Sequence, residues 1–272
     1  MIRQLTEQDR AQCLAFVSEK PAENLFIIGD IEAFGFDQEF QKIWGEFDEN
    51  GELKAVLLKF NENYIPFATG TFNIEGFADI MNQDPEFSIL SGLKHITEKI
   101  KPYIKHRSKK DRVLYYAKLE QMNSLELSFP HEEVKELKVE EIPKLVELYY
   151  KIPFKSAARN GAKSHQTSME KGVARTYYIE REGKLVSVAS TAAENSQSAM
   201  IVGVGTHPDY KRQGMATTVL TKLCEDMLKT GRTLCLFYDN PEAGSIYKRT
   251  GFEDIGMWTM FQYEVSAKKV SQ

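Results

Sequence analysis

The period of apolar positions changes repeatedly along the chain, and each change marks an element. In the first half, apolar runs or alternation over 2–5, 43–47, 53–60, 64–68 and 113–119 predict strands. The polar stretch Asp48-Glu49-Asn50-Gly51 joins two of them and predicts a hairpin. Cys13, Leu14, Phe16 and Val17 fall on one side of a helix, and Thr6 with Asp9 reads as the capping box that opens it. Further helices are predicted over 22–33, 76–81 and 93–104.

The second half repeats the alternation. Strands are predicted over 177–179 and 185–191, joined by Glu180-Arg181-Glu182-Gly183, and over 200–206, 234–238 and 255–265. Val219, Leu220, Leu223, Cys224, Met227 and Leu228 define a helix over 217–229, and Gly231 stops it. Asn240 and Pro241 open a helix that ends at Gly251. The polar stretch 155–171 shows no clear period and predicts a loop or a weak helix.

The two halves also match residue by residue. Ile2, Leu5 and Asp9 fall on Val134, Leu137 and Glu141, and the hairpin residues Gly51, Leu53 and Val56 fall on Gly183, Leu185 and Val188 at the same spacing. Two blocks with one spacing predict a tandem duplication. The break is expected near 123–133, around Pro130, giving domains over 1–125 and 133–272.

Composition narrows the function. The chain has 272 residues, 42% hydrophobic and 27% charged, which suits a globular protein with a sizeable core. A net charge of −4 argues against broad nucleic-acid binding, so a basic ligand site must be local. Cys13, Cys224 and Cys235 have no metal-ligand spacing and read as reduced thiols of a cytoplasmic protein, with no metal expected. No leader segment and no membrane span is expected.

The candidate chemistry lies in His207-Pro208-Asp209-Tyr210-Lys211-Arg212-Gln213-Gly214-Met215-Ala216, a basic turn entering a helix. Free N–H groups in a first helical turn, a glycine and two cations bind phosphate, although a solvated turn has the same letters. A second block, Asn240, Ala243, Tyr247, Gly251 and Phe252, follows a helix and a strand later. With this pair of blocks the chain resembles the GCN5-related N-acetyltransferase (GNAT) family. That family's pyrophosphate loop reads Arg or Gln, two residues, Gly, one residue, then Gly or Ala. Lys211 departs from it at the first letter, keeping the charge without the planar fork of Arg.

The resemblance implies an α/β (α+β) fold of two GNAT-like domains in tandem, each a mixed, mostly antiparallel sheet flanked by helices. It implies acetyl-CoA as cosubstrate. Val204 and Thr206 would bind the pantetheine arm, and Asn240 would touch it. Lys211, Arg212, Gln213, Gly214, Met215 and Ala216 would seat the pyrophosphate. A backbone N–H such as that of Val202 would hold the developing oxyanion. Tyr247 would be the general acid for the leaving thiolate, its ordinary pKa near that of a thiol. Glu194 and His165 are the candidate bases, since Met200 stands where some members carry Glu. The acceptor would be an amine of a small molecule, an amino-acid derivative or a protein. No nucleic acid or membrane partner is expected, and a homodimer is left open. Two other readings share the fold, a non-catalytic acyl-CoA-binding module and an aminoacyl-tRNA-dependent transferase. In the first half, the residues after 64–68 (Thr69 to Met81) include no cation, so that copy is expected to lack the phosphate seat.

Overall fold

The computed structural model describes the chain except residues 125–128, 153–160, 240 and 266–272, with the side chains of 241–243 also left aside. The predicted alternation folds into the same series twice. The first runs β1 (Ile2–Gln4), α1 (Arg10–Ser18), α2 (Leu25–Phe34), β2 (Gln41–Phe47), β3 (Leu53–Phe60), β4 (Asn63–Ala68), α3 (Ile74–Gln83), β5 (Ile89–Leu93), α4 (Lys94–Ile100) and β6 (Ser108–Leu119). The second runs β7 (Lys135–Glu136), α5 (Ile142–Lys151), α6 (Ala162–Glu170), β8 (Thr176–Arg181), β9 (Lys184–Ala192), β10 (Ser198–Thr206), α7 (Met215–Leu228), β11 (Thr233–Tyr238), α8 (Pro241–Thr250) and β12 (Glu253–Tyr263).

The duplication shows in the local chemistry. Asp9 accepts from the backbone N–H of Thr6 at 2.8 Å, and Glu141 accepts from that of Lys138 at 3.2 Å, so one carboxylate device opens both copies. Leu5 and Leu137 are both buried just before it. The hairpin glycines Gly51 and Gly183 take φ of 80° and 75°, a left-handed turn that any Cβ would strain. In each copy the third and fourth strands are antiparallel, and the fourth and fifth are parallel.

The chain forms two compact units, which do not coincide with the sequence halves. The first takes in Met1–Tyr116, Phe237–Asp239 and the stretch from Asp254 onward. Its strand order is β1-β2-β3-β4-β5-β12-β6. β12 pairs antiparallel with β5, from Trp258 opposite Leu93 to Gln262 opposite Ile89. The indole of Trp258 packs against the rings of Phe26, Tyr116 and Phe237 at 5.6, 5.3 and 5.3 Å. Aromatic burial of this size gives β12 a reason to close this sheet. The second unit takes in Ala117–Leu236 and Asn240–Glu253, with strand order β11-β10-β9-β8-β7. There α7 lays Val219, Leu220, Leu223, Cys224 and Met227, all buried, over the sheet.

One local expectation changes and another narrows. The helix expected over 93–104 is two pieces, helix α4 and a 3₁₀ turn over Lys101–Tyr103, and Leu93 is instead the last residue of strand β5. Pro102 cannot donate into an α-helix, and residues 89–93 are claimed by pairing to β4 and β12. Within the polar stretch 155–171, Ala162–Glu170 is helix α6; residues 155–160 lie outside the described residues.

The guanidinium of Arg3, bonded to both Asp9 oxygens, depresses the carboxyl of Asp9 to about 2, with the Thr6 N–H helping. A carboxyl depressed on folding stabilises above its unfolded pKa, and loses that contribution as pH falls through the folded value. Asp9→Ala should therefore cost about 1 kcal/mol at neutral pH, and the gap to the parent should close between about pH 4 and pH 2. Thermal melts of both proteins across that range check it.

Candidate acyl-CoA site

The second unit's sheet opens at β10. Its parallel register with β11 runs Ser198–Thr233, Ala199–Leu234 and Met200–Cys235, and no register pair follows among the described residues. On the other side, the register with β9 shifts between Val202 and Gly205. Gly203, within that bulge, takes φ of 63°, and a Cβ there would meet the Tyr149 hydroxyl at 2.9 Å. A bulge beside an unpaired edge frees backbone N–H and C=O groups for a ligand.

The turn into α7 has an uncommon backbone. Pro208–Tyr210 is a 3₁₀ turn, and Lys211 is extended. Arg212 (φ 60°) and Gly214 (φ 91°) are both left-handed. A residue with a Cβ pays roughly 1–2 kcal/mol for that conformation, so Arg212 holds strain at this point. Gly214 is the N-cap of α7 and, having no side chain, cannot cap the first-turn N–H groups. The positive end of a fourteen-residue helix is thus presented to an anion. Lys211 and Arg212 are exposed, and neither meets a carboxylate among the described residues.

These features border one cavity of about 500 Å³. Val204, Gly205 and Thr206 line it from β10, Lys211 and Arg212 from the turn, and Gly214 to Thr217 from the start of α7. Helix α8 adds Ile246, Tyr247 and Arg249. The Tyr247 ring meets Phe252 edge-on at 6.0 Å. Burial raises the Tyr247 phenol above its ordinary value, with the Cys224 thiol adding to the rise. The phenol therefore keeps its proton at neutral pH.

Most residues singled out from the sequence meet here: Val204, Thr206, Lys211, Arg212, Gly214, Met215, Ala216 and Tyr247 all line the cavity. Thr206 and Met215 are themselves buried, and the Thr206 hydroxyl is taken by Ser187 at 2.8 Å, leaving backbone as their means of contact. Gln213 is exposed and does not line it, its amide turning toward the Asp209 carbonyl at 3.5 Å. Asn240 lies outside the described residues. Glu194 stands apart. Its carboxylate is buried and held by the Arg175 guanidinium through two bonds of 2.9 and 2.8 Å, with Thr191 as a further donor. Such a carboxylate is an ion-pair partner rather than a free base.

A smaller cavity, about 300 Å³, shares β10 with the first one, lined there by Val202 and Gly203. Ile142, Leu145, Val146 and Tyr149 of α5 form another wall, and His165 of α6 a third. The helical spacing of those four α5 residues was readable, but a Tyr on an apolar helix face carries no chemical signal by itself.

The GNAT acetyltransferase family matches residues 31–261, across both copies. The chain belongs to the GNAT acetyltransferase family. Solved structures share the architecture over nearly the whole chain. An acetyltransferase of the GNAT family from Colwellia psychrerythraea matches with TM-score 0.57 and 13% identity, covering 97% of this chain and all of that one. A tandem GNAT protein from the clavulanic acid biosynthesis pathway matches with TM-score 0.58 and 11% identity, covering 97% and 98%. A Drosophila protein matches with TM-score 0.69 and 10% identity, covering 98% and 99%. No curated protein matches the chain. The expected fold, two GNAT-like copies in tandem, is therefore the observed one, and the family places the chain among transferases of acetyl groups.

Removing Glu194 tests its place in the structure. Glu194→Ala leaves the Arg175 guanidinium, itself about one-third exposed, without its partner, and should cost roughly 2–3 kcal/mol, below the cost for a fully buried pair. Urea unfolding measures this, and a cost under 0.5 kcal/mol would contradict the ion-pair role.

Proposed function

We propose that the protein transfers an acetyl group from acetyl-CoA to an amine of a small molecule, an amino-acid derivative or a protein. One observation carries the reading: the left-handed pair Arg212 and Gly214 opens the N-terminus of α7 into the same cavity as Tyr247. Left-handed backbone at a residue with a side chain is often found at ligand clamps. In this reading the pyrophosphate of acetyl-CoA sits on the N–H groups at the start of α7, with Lys211 and Arg212 beside it. The pantetheine arm follows β10 past the point where its register with β11 ends, taking backbone bonds from Val204 and Thr206. Asn240 belongs to the same arm.

The chemistry follows. The amine nitrogen attacks the thioester carbonyl carbon, and a β10 N–H, that of Val202, holds the oxygen as it gains charge. The carbon–sulfur bond then breaks, and the sulfur takes the Tyr247 proton. A phenol raised by burial is still protonated when the thiolate forms, so it has a proton to give the sulfur. Two observations, the buried Met200 and the engaged Glu194, favour a second reading as an acyl-CoA-binding module without turnover.

Tyr247→Phe separates the two readings. Loss of a general acid should lower kcat by about 10²-fold or more, with acetyl-CoA affinity within twofold of the parent. Unchanged turnover in a thiol-release assay would remove Tyr247 from the chemistry. Lys211→Ala with Arg212→Ala should weaken acetyl-CoA binding by roughly tenfold or more, an effect that shrinks at high salt, as calorimetry at two ionic strengths would show.

A further inference from the structure

A line of hydroxyls runs from the β10 bulge to a histidine through the core of the second unit. Thr176 Oγ1 stands 2.8 Å from His165 Nε2 and 2.7 Å from Ser190 Oγ. Ser190 Oγ lies beside the Tyr149 hydroxyl, both close to Gly203. The Tyr149 oxygen would stand 2.9 Å from a Cβ on Gly203, so the head of the line lies against the bulge. Thr176 and Ser190 are fully buried, facing each other in the register of β8 and β9. Two hydroxyls there replace apolar core residues at a cost, and each is satisfied only as part of the line. Tyr149 at one end and His165 at the other are the titratable residues lining the smaller cavity, whose other walls are apolar or small.

We propose that Tyr149, Ser190, Thr176 and His165 are a proton relay serving the acceptor amine, and that the cavity they border takes the uncharged apolar group of a primary amine. The inference rests on the acetyl-transfer reading above. The step balances as follows. An ammonium at the bulge gives a proton to Tyr149 Oη, whose own proton passes to Ser190 Oγ. The Ser190 proton moves to Thr176 Oγ1, and that of Thr176 to His165 Nε2. The result is a neutral amine and an imidazolium that later loses its proton to solvent. The amine then forms the carbon–nitrogen bond as the carbon–sulfur bond breaks, and the second nitrogen proton balances the one Tyr247 gave to sulfur.

Burial lowers the pKa of His165 and raises that of Tyr149, so at neutral pH the imidazole can accept and the phenol still holds a proton to pass on. The elements packed on α6 are α5, which brings Tyr149 to the cavity, and the turn over Val139–Glu141. That turn's Glu140 makes no ion pair among the described residues, and its Glu141 is held by Lys144 and Tyr178. With a base depressed by burial, activity is full above its pKa and falls as pH drops through it, on the acid side of an ordinary imidazole.

The test uses the full chain with acetyl-CoA, following thiol release with isoamylamine and benzylamine against glycine and putrescine. Tyr149→Phe and His165→Gln are the main variants, and Ser190→Ala cuts the line in the middle should Tyr149→Phe not fold. Gln keeps a hydrogen-bonding group near Thr176 without a basic nitrogen. Expected are preference for the two apolar amines and a loss of roughly 10²-fold in kcat for the variants, with acetyl-CoA affinity unchanged. His165→Gln should also erase the acid limb of the kcat/KM profile. Turnover with parental rates and acid limb in the variants overturns the relay and leaves the transfer reading standing. Preference for glycine or putrescine overturns the apolar acceptor. Absence of acetyl-CoA binding by calorimetry overturns the transfer reading, and the relay with it.

Discussion

A backbone strand cannot leave its hydrogen-bonding groups unpaired for nothing, and the site of this protein depends on β10 doing so. Its register with β11 stops at Met200, and its register with β9 slips between Val202 and Gly205. From there to Thr206 the strand offers backbone groups to whatever lies alongside, and two cavities lie alongside. Other features extend this opening. The turn after Thr206 sets Arg212 and Gly214 left-handed and directs α7 at one cavity, while Gly203 removes the Cβ that would block Tyr149 at the other. A single departure from regular pairing thus borders both cavities.

The sequence disclosed the series of elements well, because they follow from local rules. Alternation marked the hairpins, and the left-handed Gly51 and Gly183 were readable from their turns. The capping carboxylates of the two copies, Asp9 and Glu141, were legible as one device used twice. The basic turn and Tyr247 were legible because their spacing is set by one helix and one strand. What failed was long-range. Leu93 looked like the first residue of a helix until Trp258, far along the chain, claimed it as the last residue of β5. Glu194 looked available until Arg175, nineteen residues earlier, was found holding both its oxygens. The line from Tyr149 to His165 joins α5, β9, β8 and α6, and no local pattern brings four such elements together.

Duplication also separates scaffold from chemistry. Both copies keep the carboxylate cap, the left-handed hairpin and the parallel fourth and fifth strands, which stabilise a sheet whatever it binds. Only the second keeps a left-handed basic turn before its long helix. In the first copy Pro66 occupies β4, and α3 starts from Asn73, whose side chain accepts from the Gly76 N–H. That first-turn donor is satisfied within the protein, where Gly214 leaves the start of α7 without such a cap.

The position of β12 bears on how the chain reaches its native state. Leu93 finds its partner in Trp258, across most of the sequence. The sheet containing β1 to β5 is therefore closed by contacts of very high sequence separation, which must wait for a large loop to close. A fragment ending between the two copies would expose β5 as a bare edge and strip Phe26 and Tyr116 of Trp258, inviting the edge-to-edge association that native sheets avoid. The two copies are similar modules, but a cut between them would take from the first unit the strand that closes its sheet.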